Sequence, residues 1–155
     1  MRVADVMSAP VRTVAAAADA AAAWEQMRRG KVRHLVVTGS DGRVHGVLSA
    51  TDLGGRFGEP VRSGRRVADL MTEKVVVATP QTTVREAANL MRGHCVNCLP
   101  VFEGQTLTGI VTVGDLLELL GRGAEKPSPR SQRWVLKNRG PKHRRRDRDR
   151  RVVKR

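Results

Sequence analysis

Apolar residues recur along the chain at two spacings, one typical of helices and the other typical of strands. Asp19 and Thr83 are good helix N-caps, and Glu86 completes a capping box with Thr83. Gly30 and Gly93 are expected to end the two helices that begin there. The apolar stripes of these helices are Ala20, Ala23, Trp24 and Met27 in the first, and Val84, Ala87, Ala88 and Met91 in the second.

Short apolar runs on both sides of each helix predict strands. The predicted strands are residues 11–14, 35–37 and 44–48 around the first helix, and residues 75–78, 99–102 and 107–112 around the second. Glycine-containing turns at residues 39–42 and 103–105 join the last two strands of each set as hairpins. A closing helix is predicted to begin at Asp52 and again at Asp115.

An internal repeat accounts for this doubled pattern. Residues 3–8 (VADVMS) recur at 67–72 (VADLMT), and residues 46–53 (GVLSATDL) recur at 109–116 (GIVTVGDL). The sequence therefore predicts an α/β fold made of two β-α-β-β-α units, at about residues 1–53 and 67–121, with a linker between them. One unit is too small to bury a core alone, so we expect the two to pack through their sheets as a pseudo-symmetric pair.

The repeated unit resembles the CBS domain, and the pair resembles a Bateman module. The most specific match is the ending Gly-apolar-apolar-Ser/Thr-x-x-Asp-Leu, which is present in both copies. The resemblance covers about residues 1–121 and implies one CBS domain at residues 1–60 and another at 61–122. It also implies a regulatory, ligand-sensing role rather than catalysis.

Ser49 and Asp52, like Thr112 and Asp115, lie at predicted junctions between a strand and a helix. A helix N-terminus offers free N–H groups to a phosphate, and a nearby carboxylate can accept both hydroxyls of a ribose. In CBS domains these positions contact adenine nucleotides, so the resemblance implies two clefts for AMP, ADP or ATP. The same pattern also begins a helix without any ligand.

Charge near these junctions predicts which cleft holds the charged nucleotide. Arg43 and His45 precede Ser49, whereas no basic residue lies near Thr112 in the sequence. We therefore expect the charged nucleotide in the cleft of Ser49, and a less phosphorylated ligand or none in the other cleft. Further candidates for lining the two clefts are Thr13, His34, Thr79 and Cys98.

Most of the net charge of +14 lies at the C-terminal end of the chain. Residues 122–155 hold 15 Lys and Arg against 3 Asp and Glu, and residues 123–155 have no hydrophobic period. Such an extended basic tail is expected to be disordered alone and to bind a polyanion, through Arg–phosphate contacts and stacking of Trp134 on a base. The candidate RNA-binding residues are Arg130, Arg133, Trp134, Lys137, Arg139, Lys142, Arg144, Arg145, Arg146, Arg148, Arg150, Arg151, Lys154 and Arg155.

The tail favours RNA over DNA, because the chain has no motif that reads a DNA duplex. Its Arg-rich, Gly- and Pro-punctuated sequence resembles the extensions of ribosomal proteins. We therefore interpret the chain as a non-enzymatic, homodimeric regulator in the cytoplasm that binds ribosomal RNA and acts in ribosome hibernation or the stress response. The first alternative is a nucleotide or metabolite sensor that regulates DNA or a partner protein.

Several other classes are disfavoured by the sequence. The chain has no run of 18 apolar residues and no basic-then-apolar N-terminal signal, so we expect no membrane association. It has no nucleophile elbow and no P-loop. His94, Cys95 and Cys98 fall short of the four ligands of a structural zinc site, so no metal is expected. A cysteine-based redox or metal sensor is the second alternative.

Overall fold

The computed structural model describes residues 1–121, so the basic tail and every RNA-binding candidate lie outside the described residues. The predicted α/β fold of two repeats is confirmed. None of the helices within residues 1–121 is both long and apolar enough to cross a bilayer. The elements are a 3-10 helix (Val3–Asp5), β1 (Thr13–Ala15), α1 (Ala20–Gly30), β2 (His34–Thr38), β3 (Val44–Ser49), a 3-10 helix (Gly55–Phe57), α2 (Glu59–Arg62), α3 (Val67–Leu70), α4 (Val84–His94), β4 (Cys98–Glu103), β5 (Thr106–Thr112) and α5 (Val113–Gly121).

The two repeats differ in their strands. In repeat one, residues 1–53, β1 pairs in parallel with β2, and β2 pairs antiparallel with β3. In repeat two, residues 67–121, β4 and β5 form an antiparallel pair. The predicted strand at residues 75–78 is wrong, because only Ala78 forms a bridge there, to Val101. Val75 and Val76 instead line a cleft beside Ser49.

The predicted helix starts are largely correct. The capping box of α4 is confirmed: Glu86 N–H donates to Thr83 Oγ1 at 3.2 Å, and Thr83 N–H donates to Glu86 Oε2 at 2.8 Å. Asp19 occupies the N-cap position of α1, but its side chain makes no capping hydrogen bond. The start of α1 is therefore set by its apolar residues more than by its cap.

The predicted helix stops are correct to within one residue. Gly30 is still the last residue of α1, and α4 continues past Gly93 to His94. The left-handed residues that end the two helices are Lys31 (φ 52°) and Cys95 (φ 55°). Their backbone N–H groups donate back to helix carbonyls, which offsets the cost of a left-handed non-glycine residue.

The closing helix predicted from Asp52 is also wrong. A turn occupies residues 50–54, because Gly54 and Gly55 have φ values of 74° and 62°, outside the helical region. The predicted linker then forms a 3-10 helix and α2. In repeat two the chain continues from Asp115 without such a glycine pair, and α5 forms as predicted.

The linker is held against repeat one by one buried arginine. Arg62 is 7% exposed, and its Nη1 donates to the carbonyl oxygens of Leu53 and Gly55, both at 2.7 Å. Its guanidinium also lies 4.5 Å from the centre of the Trp24 ring on α1. These contacts attach the linker to the core of repeat one, which precedes it in the chain.

Each repeat completes its core with the leading segment of the other. The leading segments are residues 3–8 and 67–72, the first pair of matching blocks in the sequence. Val3, fully buried, belongs to the same core as Leu99 of repeat two, whereas Val67 belongs to the same core as Leu48 of repeat one. The leading segments are thus exchanged, which makes the two repeats depend on each other for stability.

Two glycines allow this exchange. A Cβ atom on Gly46 of β3 would lie 2.7 Å from the carbonyl oxygen of Thr72, and one on Gly109 of β5 would collide with Met7 Sδ. Glycine therefore lets each leading segment approach the last strand of the opposite repeat.

Candidate functional site

A serine and an aspartate form a closed ring of hydrogen bonds at the end of β3. Ser49 donates its N–H and its Oγ–H to Asp52 Oδ2, both at 2.7 Å, and Asp52 N–H donates to Ser49 Oγ at 3.1 Å. None of the hydrogen bonds within residues 1–121 uses Oδ1 of this carboxylate. The ring therefore holds the aspartate rigidly while leaving one oxygen to accept a hydroxyl from a ligand.

Thr112 and Asp115 form the equivalent ring at the end of β5. The N–H and Oγ1–H of Thr112 donate to Asp115 Oδ2 at 2.7 and 2.8 Å, and Asp115 N–H donates back at 3.3 Å. Here α5 begins at the next residue, Val113, whereas Ser49 is followed by a turn. Only the Thr112 ring therefore lies at the positive end of a helix dipole.

Each ring lies in a cleft that both repeats line. The Ser49 cleft has a volume of about 490 Å³ and the Thr112 cleft about 470 Å³, within the range of roughly 300–1,000 Å³ for small-molecule sites. The Ser49 cleft is lined by His34, Val47, Ser49, Thr51 and Asp52 of repeat one and by Thr72, Lys74, Val75, Val76 and residues 94–98 of repeat two. The Thr112 cleft is lined by Ser8, residues 31–34 and residues 49–51 of repeat one and by Asn97, Ile110 and residues 112–115 of repeat two.

Most of the predicted site residues line these clefts. Ser49, Asp52, His34 and Cys98 line the first cleft, and Thr112, Asp115 and His34 line the second. Thr13 and Thr79 line neither of the two. Thr13 lies in β1 opposite Val36, and Thr79 Oγ1 is hydrogen-bonded to Thr82 Oγ1 at 3.1 Å.

The predicted distribution of positive charge is wrong. Lys31 and Arg33 of repeat one line the Thr112 cleft, although no basic residue is near Thr112 in the sequence. Conversely, His45 lies outside the Ser49 cleft, with its Nε2 hydrogen-bonded to Asp41 Oδ1 at 3.0 Å. Arg43 lies outside it as well, and Lys74 of repeat two supplies the basic side chain of that cleft. Alignment of the two repeats does not predict this distribution of charge, because the basic residues of each cleft come from the repeat that does not contain its hydroxyl–carboxylate ring.

His34 lies between the two clefts, which adjoin. It lines both of them, together with Ser49, Thr51 and Asn97. Burial lowers the pKa of His34 below its ordinary value, and the nearby Arg33 lowers it further, while Asp52 and Asp115 oppose the change. Burial therefore favours the neutral imidazole, and the carboxylates of both clefts act on it electrostatically.

The cysteines of the Ser49 cleft differ in exposure. Cys95 is exposed, whereas Cys98 is buried and burial raises the pKa of its thiol to about 12. Cys98 thus lines the cleft as a neutral, apolar group. Within residues 1–121, no group of three or more His, Cys, Asp and Glu side chains is placed to hold a metal ion.

Comparison with known families gives two matches on this chain. The model of the CBS domain family matches residues 3–54 and 67–122. The chain is 33% identical over 120 residues to inosine-5'-monophosphate dehydrogenase of Halobacterium salinarum, an alignment that covers 77% of the chain and 22% of that enzyme. It spans a third or less of the full lengths of the first curated relatives it matches.

Solved structures share the fold. The CBS domain pair of protein MJ0100, in complex with 5'-methylthioadenosine and S-adenosyl-L-methionine, superposes with a TM-score of 0.72 at 22% identity, covering 80% of this chain and 98% of that one. Hypoxic Response Protein I, with two coordinated zinc ions, superposes with a TM-score of 0.63 at 26% identity, covering 76% of this chain and 98% of that one.

Proposed function

The chain belongs to the CBS domain family, and on that premise we propose that it is a regulatory protein whose clefts bind adenosine-containing ligands. The observation that carries this proposal is the pair of equivalent hydrogen-bonded rings, one in each cleft. The adenosine ligands of the solved pair from protein MJ0100 support this ligand class. We assign the chain a role in regulation rather than catalysis, in the cytoplasm.

The side chains of the clefts suit an adenine nucleoside. Within residues 1–121, the hydrogen bonds to Asp52 and Asp115 use Oδ2, so Oδ1 can accept the ribose hydroxyls. Apolar residues such as Val75 and Val76 can enclose the base. Since both repeats line each cleft, a bound ligand contacts both of them. It would favour the arrangement of the repeats in which those contacts are best, which is the basis of a ligand-dependent switch.

Isothermal titration of the full chain with AMP, ADP, ATP and 5'-methylthioadenosine tests this function. Asp52→Asn and Asp115→Asn should each weaken binding at their own cleft by about ten- to a hundredfold, since a hydrogen bond to a charged group contributes roughly 1.5–3 kcal/mol. Glu86→Gln is the matched control, because it alters the same kind of hydrogen-bonded ring outside the clefts. Wild-type affinity in both aspartate variants would refute the assigned site.

We also propose that residues 123–155 bind RNA, with the ribosome as the target. The excess of Arg over acidic residues in this segment supports the proposal, which concerns residues outside the described structure. A ligand that shifts the repeats would then alter how the protein sits on the RNA, as a hibernation or stress factor requires.

Sedimentation of cell lysate through a sucrose gradient at moderate salt tests the ribosome proposal. The full chain should travel with ribosomes or a subunit, whereas a chain ending at Gly121 should stay at the top of the gradient. If both stay at the top, the alternative of a sensor that acts on DNA or a partner protein takes its place. Nonspecific binding to single strands would show a log–log salt slope of about −0.7 per phosphate contacted.

A homodimer is proposed through the face formed by α4 and α5. Leu117 and Leu120 are 61% and 74% exposed on α5, and an apolar cavity of about 470 Å³ between the helices is lined by Met91 and Leu116. Exposed leucines beside such a cavity mark an association surface. Sedimentation equilibrium should give a dimer for the wild type and a monomer for Leu120→Glu.

The metal or redox alternative is favoured only by the zinc-bound relative and by Cys95 and Cys98. The described residues offer no cluster of ligands for it. Elemental analysis of the purified full chain decides this alternative, which requires close to one zinc per chain.

A further inference from the structure

The two clefts differ in charge. In the Thr112 cleft, Lys31 and Arg33 outnumber Asp115, whereas in the Ser49 cleft Lys74 is balanced by Asp52. The ion pairs within residues 1–121 are Arg28–Glu25 and His45–Asp41, so neither Lys31 nor Arg33 is neutralised by a carboxylate in that part of the chain. Above pH 7.5, where imidazoles are largely neutral, the Thr112 cleft is therefore the more positive of the two.

Backbone structure adds to the same difference. Thr112 is followed directly by α5, and Gly114 and Asp115 of its first turn line the cleft. The partial positive charge of that helix N-terminus faces a ligand there. Asp52 instead belongs to a turn, because Gly54 and Gly55 prevent a helix from forming. The Ser49 cleft thus lacks a helix dipole as well as the second cation.

One wall of the Ser49 cleft is formed by valines. Val47, Val75, Val76 and Val96 line it, and the neutral thiol of Cys98 joins them. Asn97 is the residue of repeat two that matches Arg33. Because Asn97 lines the Ser49 cleft, that cleft has an amide where the Thr112 cleft has a guanidinium. With one cation balanced by one carboxylate, this cleft suits an uncharged substituent on the 5' carbon of the ribose better than a chain of phosphates.

We propose that the two clefts divide adenosine ligands by charge. The Thr112 cleft takes nucleoside di- and triphosphates, whose phosphates lie against Lys31, Arg33 and the N-terminus of α5. The Ser49 cleft takes adenosine ligands without a phosphate chain, such as a 5'-thioether of adenosine. This division rests on the proposed function. It reverses the expectation from the sequence, which placed the charged nucleotide in the Ser49 cleft.

Isothermal titration at pH 8 with ATP and with 5'-methylthioadenosine as probes tests the division on the full chain. The double variant Lys31→Gln, Arg33→Gln should weaken ATP binding by about a hundredfold, since each charge-assisted contact contributes roughly a factor of ten or more. The same variant should leave 5'-methylthioadenosine affinity within about twofold of wild type, as an uncharged ligand makes no phosphate contact. Lys74→Gln is the matched control and should leave ATP affinity unchanged. The three side chains are exposed, so these variants should fold as the wild type does.

Nuclear magnetic resonance on the same samples locates each ligand. ATP should shift the amide signal of Gly114, and 5'-methylthioadenosine should shift that of Val76, because each residue lines only one of the two clefts. The division is overturned if Lys74→Gln is the variant that weakens ATP, or if ATP shifts Val76 and leaves Gly114 unmoved. Either outcome would leave the proposed binding of adenosine ligands intact. If neither probe binds the wild-type chain at millimolar concentration, the proposed function and the division fall together.

Discussion

Gly46→Ala should destabilise the protein more than Gly109→Ala, the matched change in the other repeat. Neither glycine has a positive φ, so the two variants differ only in what the new methyl group meets. On Gly46 it would meet the carbonyl oxygen of Thr72 at 2.7 Å. That backbone is fixed by two hydrogen bonds with Val47, at 2.9 and 3.0 Å. On Gly109 the methyl would meet the side chain of Met7, which is flexible.

The magnitudes follow from these contacts. Overpacking against fixed backbone costs about 1–3 kcal/mol, and weakening of the two Val47–Thr72 hydrogen bonds adds roughly 0.5–1.5 kcal/mol each. Replacing glycine by alanine also lowers the conformational entropy of the unfolded chain, which offsets about 0.4–1 kcal/mol of this destabilisation in both variants. We therefore expect a loss of about 2–4 kcal/mol for Gly46→Ala, and of about 1 kcal/mol or less for Gly109→Ala because a methionine side chain can rotate away.

Urea unfolding followed by circular dichroism measures both free energies of unfolding. A second substitution separates the two causes: Met7→Ala should remove most of the interaction that penalises Gly109→Ala, measured as a coupling energy in a double-mutant cycle. Met71→Ala should not rescue Gly46→Ala, because the closest atom there belongs to the backbone of Thr72. Equal losses for the two glycine variants, or rescue by Met71→Ala, would refute the assignment of the cost to a backbone contact.

Arg62, Cys98 and His34 lead to three further expectations. Arg62→Met should cost about 2–4 kcal/mol in urea unfolding, since it leaves two carbonyl oxygens unsatisfied and removes a contact with Trp24; a loss below about 1 kcal/mol would show that water replaces the guanidinium. Cys98, with burial raising its pKa to about 12, should react with iodoacetamide at pH 8 far more slowly than the exposed Cys95, and comparable rates by mass spectrometry would contradict its burial. Because the pKa of His34 is lowered on folding, the unfolded chain binds a proton more readily, so stability should fall as the pH drops through about 6.5 and level off below the folded pKa. His34→Asn should flatten that fall, and an unchanged pH profile of the melting temperature would assign it to other groups.

Local features of the site could be predicted from the sequence. The ring of Thr112 and Asp115, and the capping box of Thr83 and Glu86, join groups only three residues apart. Such hydrogen bonds depend on the short chain segment that contains both partners, so residue type and spacing are enough to predict them. The helix expected from Asp52 failed for an equally local reason, the glycine pair that follows it.

Features that join the two repeats could not be predicted in this way. The placement of Lys31 and Arg33 beside Thr112, and the exchange of the segments that begin at Val3 and Val67, bring together residues far apart in the chain. Pairing of matching blocks reveals that the repeats are alike, but it does not reveal which repeat lines which cleft.

The sequence by itself determined the two repeats, their apolar stripes, the two hydroxyl–carboxylate pairs and the concentration of positive charge in residues 122–155. Each of these follows from residue type and short spacing. Only the tertiary structure decided the charge of each cleft and the position of His34 between them. The physical reason is that a cleft is formed by surfaces of both repeats, and their relative position is set by burial of the shared cores rather than by any one segment.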